Sequence, residues 1–111
     1  MATTLKQLGQ LTPANTTAAS LYSPAANTQT IIKSIIICNT GNTSNKYRIF
    51  HDAAGTTYDE STALFWDIQL NKESTEILEF NLAMNDSTGN LAVRTDSADD
   101  LTFTCYGAEI T

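Results

Sequence analysis

The chain has 111 residues, of which 12 are acidic and 6 are basic, giving a formal net charge of −6. This length corresponds to one domain, residues 1–111, with one hydrophobic core. The six bases are spread along the sequence, whereas nucleic-acid phosphates and anionic lipids are bound by clustered bases, so neither a nucleic acid nor a membrane is an expected partner. No apolar run approaches the roughly 20 residues that a membrane helix needs.

The first residues lack the basic and apolar segments of a signal peptide, which predicts synthesis in a cytoplasm. Cys38 and Cys105 lie in apolar segments. We interpret them as free, buried thiols rather than as a disulfide between facing sheets. Two cysteines and His51 cannot complete a structural zinc site without carboxylates, so no metal and no other cofactor is predicted.

The first predicted strands cover residues 5–8 and 18–22, and the low-complexity stretch 12–20 follows the first of them. Residues 1–22 are therefore predicted to form an N-terminal arm or an edge segment. An arm would leave the body and grip a neighbouring subunit, whereas an edge segment would lie over one side of the sheet. The sequence leaves both alternatives open.

The next two predicted strands cover residues 28–38 and 46–51 and are dense in β-branched side chains. A polar run rich in Asn, Thr and Gly joins them, as is typical of a turn. Two such strands with a short turn between them predict a buried β-hairpin.

The predicted strand 63–70 alternates most regularly. Its alternation predicts that Leu64, Trp66 and Ile68 face the core. Phe65 shares the other face with polar residues, so we expect it to be exposed or to lie in a subunit contact.

The last predicted strands cover residues 75–84, 91–95 and 101–110, with a polar turn at 85–90 and an acidic loop at 96–100. Helix-forming stretches in amphipathic register are scarce, so no helices are available for parallel crossovers and the sheets should be antiparallel. The pattern predicts an all-β fold: a single antiparallel β-sandwich or jelly roll of about eight short strands.

Catalytic chemistry finds little support in the sequence. His51 and Asp52 are the one pair that suggests acid–base work, but no nucleophile motif accompanies them, and a structural His is favoured. Asp96, Asp99 and Asp100 lack the spacing of a calcium loop, which favours a solvated turn. We therefore predict no catalytic and no metal-binding residues, and no enzyme activity. A hydrolase would require a pocket that holds His51 with a carboxylate and a nucleophile.

Four segments carry a resemblance to a known family. In chain order they are Leu8-Gly9-Gln10, Ala19-Ser20-Leu21-Tyr22-Ser23-Pro24-Ala25, Thr30-Ile31-Ile32-Lys33-Ser34-Ile35-Ile36-Ile37-Cys38-Asn39-Thr40 and Phe103-Thr104-Cys105-Tyr106-Gly107-Ala108-Glu109-Ile110-Thr111. Over most of its length the chain resembles small virion proteins of tailed bacteriophages, often met in phages of cyanobacteria and other aquatic bacteria. The resemblance carries no catalytic motif, and nothing is transferred to the variable stretch 52–73.

The resemblance implies a non-enzymatic β-sandwich that occupies a place in the virion and is made in the cytoplasm of the host bacterium. A cement (decoration) protein that clamps neighbouring subunits of the major capsid protein is favoured. Small size, acidity and compactness suit a protein that is added after the shell expands. The alternative is a small subunit of the tail tube, baseplate or fibre.

The expected partners are further copies of the chain, with a trimer around a closed symmetry axis as our prediction, and the major capsid protein or a tail protein. The candidate interface residues are Leu5, Leu8 and Leu11, with Phe65 as a fourth. A carbohydrate-binding attachment module is the competing hypothesis. It requires at least two exposed aromatic side chains on one face, for which Phe65 and Tyr58 are the candidates.

Overall fold

Eight β-strands form two four-stranded sheets in the computed structural model, which describes residues 2–84 and 88–111. In chain order the strands are β1 (Thr3–Leu11), β2 (Ala19–Tyr22), β3 (Gln29–Asn39), β4 (Asn45–Asp52), β5 (Ala63–Leu70), β6 (Thr75–Met84), β7 (Asn90–Thr95) and β8 (Leu101–Ile110). The predicted all-β class is confirmed. Strand ends differ from the predicted ones by at most one residue except in β1, which is longer at both ends. The predicted turn at 85–90 lies partly outside the described residues.

Sheet A has the strand order β1-β8-β3-β6, and sheet B has the order β2-β7-β4-β5. Every pairing between neighbouring strands is antiparallel. The chain passes repeatedly from one sheet to the other, and this arrangement is a jelly roll.

The predicted hairpin of β3 and β4 is wrong, because the two strands belong to different sheets. β3 pairs with β6 and β8, while β4 pairs with β5 and β7. The polar run 40–44 carries the chain between the sheets and is organised by the buried side chain of Asn39. Its Nδ2 donates to the carbonyl oxygens of Thr43 (2.9 Å) and Leu70 (3.1 Å), and its Oδ1 accepts from the backbone N–H of Gly41 (2.9 Å).

The hydrophobic core lies between the two sheets and is formed by inward-facing side chains of both. Phe103 of β8 and Tyr47 of β4 meet edge to face near its middle, with ring centroids 6.1 Å apart. The inter-sheet contact is reinforced by Tyr22 of β2, whose hydroxyl donates to Glu109 of β8 (2.6 Å). Lys6 of β1 forms an ion pair with the same carboxylate (2.7 Å).

β5 departs from the predicted alternation at a bulge. Two of its residues, Trp66 and Asp67, lie opposite the single residue Arg48 of β4, and Asp67 has a left-handed φ of 51°. An extra residue reverses which side chains face the core. Phe65 therefore packs against the core, and Trp66 points outward with 37% of its surface exposed. The prediction that Trp66 faces the core is wrong for this reason, and Leu64, predicted to face the core with it, is 43% exposed. Phe65 is half-buried rather than exposed, and its alternative place in a subunit contact stays a prediction.

β1 is an edge strand of sheet A and pairs with β8 over its whole length. Leu8 and Leu11 pack against the core. A Cβ at Gly9 would collide with the carbonyl oxygen of Leu21, so the close approach of β1 to β2 requires glycine there.

The connection from β1 to β2 is held against the body. The carbonyl oxygen of Pro13 accepts from the backbone N–H of Asp99 (2.9 Å), and that of Thr16 accepts from Nε of Arg94 (2.8 Å). In the single chain, this segment follows the edge of the sandwich.

Both cysteines are free, and both lie in sheet A, so a disulfide between facing sheets is wrong. Cys105 is buried, and burial raises the pKa of its thiol to about 11. Cys38 is half-buried and points away from the core. The described residues contain no helix that is long and apolar enough to cross a membrane.

Candidate interaction surface

The outer surface of sheet A carries almost no charge. Cross-strand partners point to the same side of a sheet, so the strand register shows which side chains share this surface. We call it the neutral face and define it by four rows across the strands: Leu5, Ala108, Ile31 and Ala83; Gln7, Tyr106, Ser34 and Glu79; Gln10, Thr104, Ile36 and Ile77; and Thr102, Cys38 and Thr75. Within this set, Glu79 is the one charged side chain, and exposed Lys33 in the bulge of β3 lies beside it on the same surface.

Large apolar side chains on the neutral face remain exposed to solvent. Leu5 is 72% exposed, Ile77 is 61% exposed and Tyr106 is 38% exposed. A shallow depression lies between Leu5 and Tyr106, with Lys33 at its rim. Exposed apolar surface that is continuous over several strands is typical of a protein–protein contact.

The outer surface of sheet B, which we call the charged face, differs in chemistry. Lys46, Arg48 and Arg94 lie together there, with Arg48 directly opposite Arg94 on the neighbouring strand. Lys46 and Arg48 share one side of β4, and the pairing of β4 with β7 adds Arg94, so that three of the six bases lie together. Sequence reasoning missed this group because it depends on that pairing.

Arg48 is held on the charged face by two partners. Its Nε and Nη2 donate to the two carboxylate oxygens of Asp67 (2.6 and 3.1 Å), and its guanidinium carbon lies 3.5 Å from the ring centroid of Trp66. The hydrogen bond from Arg48 lowers the pKa of Asp67. The guanidinium of Arg48 therefore has both an anionic partner, Asp67, and an aromatic partner, Trp66, within the same chain.

The chain also covers Phe50 on the charged face. Phe50 points outward from β4 yet is only 1% exposed, because Trp66 and Tyr58 lie over it with ring centroids 6.2 Å away in each case. Tyr58 belongs to the loop between β4 and β5 and accepts a hydrogen bond from Nδ2 of Asn90 (2.8 Å). The loop thus covers Phe50, whereas Leu64, Trp66 and Ile68 of β5 remain 43%, 37% and 36% exposed. Both sheets leave large apolar side chains exposed, and the two most exposed, Leu5 and Ile77, belong to the neutral face.

The four predicted interface residues fall into two groups. Leu5 lies on the neutral face, whereas Leu8, Leu11 and Phe65 are partly buried against the core. An interface role stays a prediction for all four residues, and Leu5 is the most exposed of them.

Sequence reasoning missed the rest of the neutral face. Ile31 and Ile36 lie in the continuous apolar run of β3, which looks buried on both sides, and Tyr106 follows an alternation whose exposed side cannot be identified before the sheets are assembled.

The pair of exposed aromatic side chains expected for a carbohydrate-binding face is not observed. Phe65 turns toward the core, while Tyr58 covers Phe50 on the other side of sheet B. Of the aromatic side chains in the described residues, Trp66 and Tyr106 are the two exposed ones, and they lie on opposite faces of the sandwich.

The candidate acid–base pair, His51 and Asp52, is surrounded by groups that shift the pKa values of both side chains. Burial lowers the pKa of His51, and Asp52 raises it by a smaller amount. The carboxylate of Asp52 accepts backbone hydrogen bonds from residues 54, 56 and 57, which lowers its own pKa. Within residues 2–84 and 88–111, no three His, Cys, Asp or Glu side chains come together as metal ligands would.

In the acidic loop 96–100, two carboxylates accept hydrogen bonds from other groups of the chain. Asp100 accepts hydrogen bonds from Oγ of Ser97 (2.9 Å) and Nδ2 of Asn45 (3.3 Å), and Asp96 accepts from the backbone N–H of Lys46 (3.0 Å). These carboxylates tie the loop between β7 and β8 to the start of β4.

Solved structures with a similar fold come from viral particles. The chain is similar to a chain of the T13 particle of infectious bursal disease virus, with a TM-score of 0.54 and 10% identity over 96% of this chain and 30% of that one. It is also similar to a chain of the VP2 subviral particle of the same virus, with a TM-score of 0.50 and 17% identity over 96% of this chain and 29% of that one. The chain thus spans about 30% of the length of the viral chains it matches.

At these identities the likeness establishes the fold alone, an eight-stranded β-sandwich. No protein-family model matches the sequence, and no curated protein matches it.

Proposed function

We propose that this protein is a non-enzymatic structural component of a virion, and that it works as a capsid cement protein of a tailed bacteriophage. In this proposal the chain is made in the cytoplasm of the host bacterium and docks on the lattice of the major capsid protein. The observation that carries the proposal is the neutral face, which leaves Leu5, Ile77 and Tyr106 exposed. The fold that the chain shares with proteins of viral particles and its sequence resemblance to phage virion proteins support the same role.

The size of the neutral face suits a weak contact that is repeated many times. Four strands about 4.8 Å apart and about eight residues of 3.3 Å each give a surface of roughly 500 Å². Two partners would bury about 1,000 Å² in total, less than the roughly 1,600 Å² of a standard stable interface. A single copy would therefore bind weakly, whereas several linked copies on one lattice would bind tightly through avidity.

The charge distribution agrees with such docking. A net charge of −6 favours solubility and disfavours random association of free copies. Because charges are depleted at the centres of protein interfaces, a face with few charged side chains, Glu79 and the adjacent Lys33, limits the cost of burying charge.

The test compares a lysine on each face. Tyr106→Lys alters the neutral face on an interior strand, and Leu64→Lys is the matched control on β5, with exposures of 38% and 43% in the native protein. Each variant is added to particles from which the protein has been removed, and the bound copies are counted. Tyr106→Lys should reduce the bound copies at least tenfold, and Leu64→Lys should bind as the native protein does. Native-like binding of Tyr106→Lys would overturn the proposal.

Point variants are preferable to removal of residues 1–11. That segment contributes Leu8 and Leu11 to the core and covers one edge of β8, so its removal would disturb folding together with docking.

Imaging of intact virions that carry the labelled protein separates the two places in the particle. Label over the capsid surface is the expected result. Label along the tail would overturn the cement role and favour a subunit of the tail tube, baseplate or fibre.

A further inference from the structure

The two edges of sheet A are longer than those of sheet B. β1 and β6 have nine and ten residues. In sheet B, β2 has four residues, and β5 is interrupted by the bulge at Asp67. The outer side of an edge strand presents unpaired backbone N–H and C=O groups, which can pair with another strand. Long edges of this kind point to a partner strand.

The topology fixes the relative direction of these edges. Three successive antiparallel pairings separate β1 from β6, so the two strands run in opposite directions. A second copy that continues the sheet would place its β1 antiparallel to β6 of the first copy. Each edge strand also carries its bulge at the same level of the sheet, next to Gln7 in β1 and next to Glu79 in β6, so the irregular positions would coincide.

Charge favours the pairing of unlike edges. Lys6 is the one charged residue of β1, whereas β6 carries Glu76 and Glu79 and no base. Pairing β6 with β6 would bring four carboxylates together, and pairing β1 with β1 would bring two lysines together. Like charges on adjacent strands are destabilising, and the pairing of β1 with β6 avoids both juxtapositions.

The apolar side chains agree with the same arrangement. Continuing the rows of sheet A places Leu5 of one copy beside Ala83 of the next on the neutral face. On the inner side, Leu8 would approach the partly buried Leu78 and Phe80.

We infer that β1 of one copy pairs with β6 of the next, head to tail, so that copies of this chain close into a ring. Such heterologous contacts close when the rotation between copies divides a full turn, as in a trimer. The inference deepens the homo-oligomeric part of the proposed function. It places Leu5 in the contact between copies and makes the neutral faces of neighbouring copies continuous.

Disulfide trapping in the free protein tests this pairing. Leu5→Cys and Ala83→Cys are combined in a background in which Cys38 is replaced by Ser. Within one chain the two sites are three strand spacings apart, about 14 Å, and a disulfide requires Cα atoms within about 7 Å. Oxidation should give a ladder of covalent oligomers that ends at the ring size. Either single variant should give dimers at most, and the inference is wrong if the double variant stops at dimers too.

A charge reversal provides a second measurement. Glu79→Lys removes the acidic character of the exposed side of β6 and should weaken association at least fivefold in sedimentation or native mass spectrometry. Glu60→Lys makes the same change of charge in the loop between β4 and β5 and should associate as the native protein does. A native protein that stays monomeric at all concentrations would overturn the inference.

The two sets of results separate the two proposals. Rings that form normally but fail to bind particles would contradict docking alone, whereas particle binding by a chain that shows no head-to-tail crosslinks would contradict edge pairing alone.

Discussion

Sheet A and sheet B each turn one side toward the core and one side outward, and the chain treats the two outward sides differently. On the charged face, the guanidinium of Arg48 has Asp67 and Trp66 as partners, and Phe50 is covered by neighbouring rings. On the neutral face, Leu5 and Ile77 remain 72% and 61% exposed. Sheet B is not free of exposed apolar side chains, since Leu64 and Ile68 of β5 are 43% and 36% exposed, but the two most exposed ones lie on sheet A. This difference is the basis for the proposed contact through the neutral face.

The largest expected effect concerns folding and contrasts one residue from each face. Phe50→Ala should lower the free energy of unfolding by about 3–5 kcal/mol, because it leaves a cavity under Trp66 and Tyr58. Ile77→Ala should change that free energy by no more than about 0.5 kcal/mol, because the side chain is exposed. Chemical denaturation of both variants measures the difference. Equal losses would show that the neutral face is needed for folding rather than for contact.

An intermediate effect concerns acid stability. The pKa of Glu109 is below its ordinary value of 4.5 because Lys6, and then Tyr22, donate to its carboxylate. A lowered pKa in the folded state contributes stability above the ordinary value, and that contribution is lost as the pH falls through the folded value. Glu109→Gln should therefore be less stable than the native protein near neutral pH and should lose less stability on acidification.

Denaturation of both proteins across the acid range checks this expectation. The difference between native protein and variant isolates Glu109, since Asp52, Asp59 and Asp67 also have lowered pKa values and remain in both. Parallel curves at all pH values would contradict the expected role of the link between the sheets.

The smallest expected effect leaves the fold unchanged and concerns the two thiols. Because the thiolate is the reactive form, the raised pKa and burial of Cys105 should protect it from iodoacetamide at about pH 8. Cys38, half-buried on the neutral face, should react in the free protein and more slowly on particles. Mass spectrometry of the labelled peptides measures both rates. An unchanged rate at Cys38 on particles would place the contact elsewhere.

The eight strands could be predicted from the sequence because alternation of apolar and polar residues directly reflects the two-residue period of a strand. The partners of each strand could not. A short polar run such as 40–44 can join two strands of one sheet or two strands of different sheets. Here buried Asn39 stabilises the crossing between sheets by donating hydrogen bonds to the carbonyl oxygens of Thr43 and Leu70.

The candidate surface was harder to predict than the fold. On β5, one left-handed residue, Asp67, reverses the faces of Phe65 and Trp66, and its conformation is supported by Arg48 from another strand. On β3, Ile31 and Ile36 are as apolar as the core residues beside them. Their outward direction follows from pairing with β6 and β8, which no local pattern encodes.

Radical footprinting of the particle-bound protein shows which outer face contacts the particle. Tyr106 and Trp66 are almost equally exposed in the free chain, at 38% and 37%, and lie on opposite faces. We expect particle binding to protect Tyr106 from oxidation while Trp66 is oxidised as in the free protein. Protection of Trp66 with Tyr106 left reactive would contradict the account.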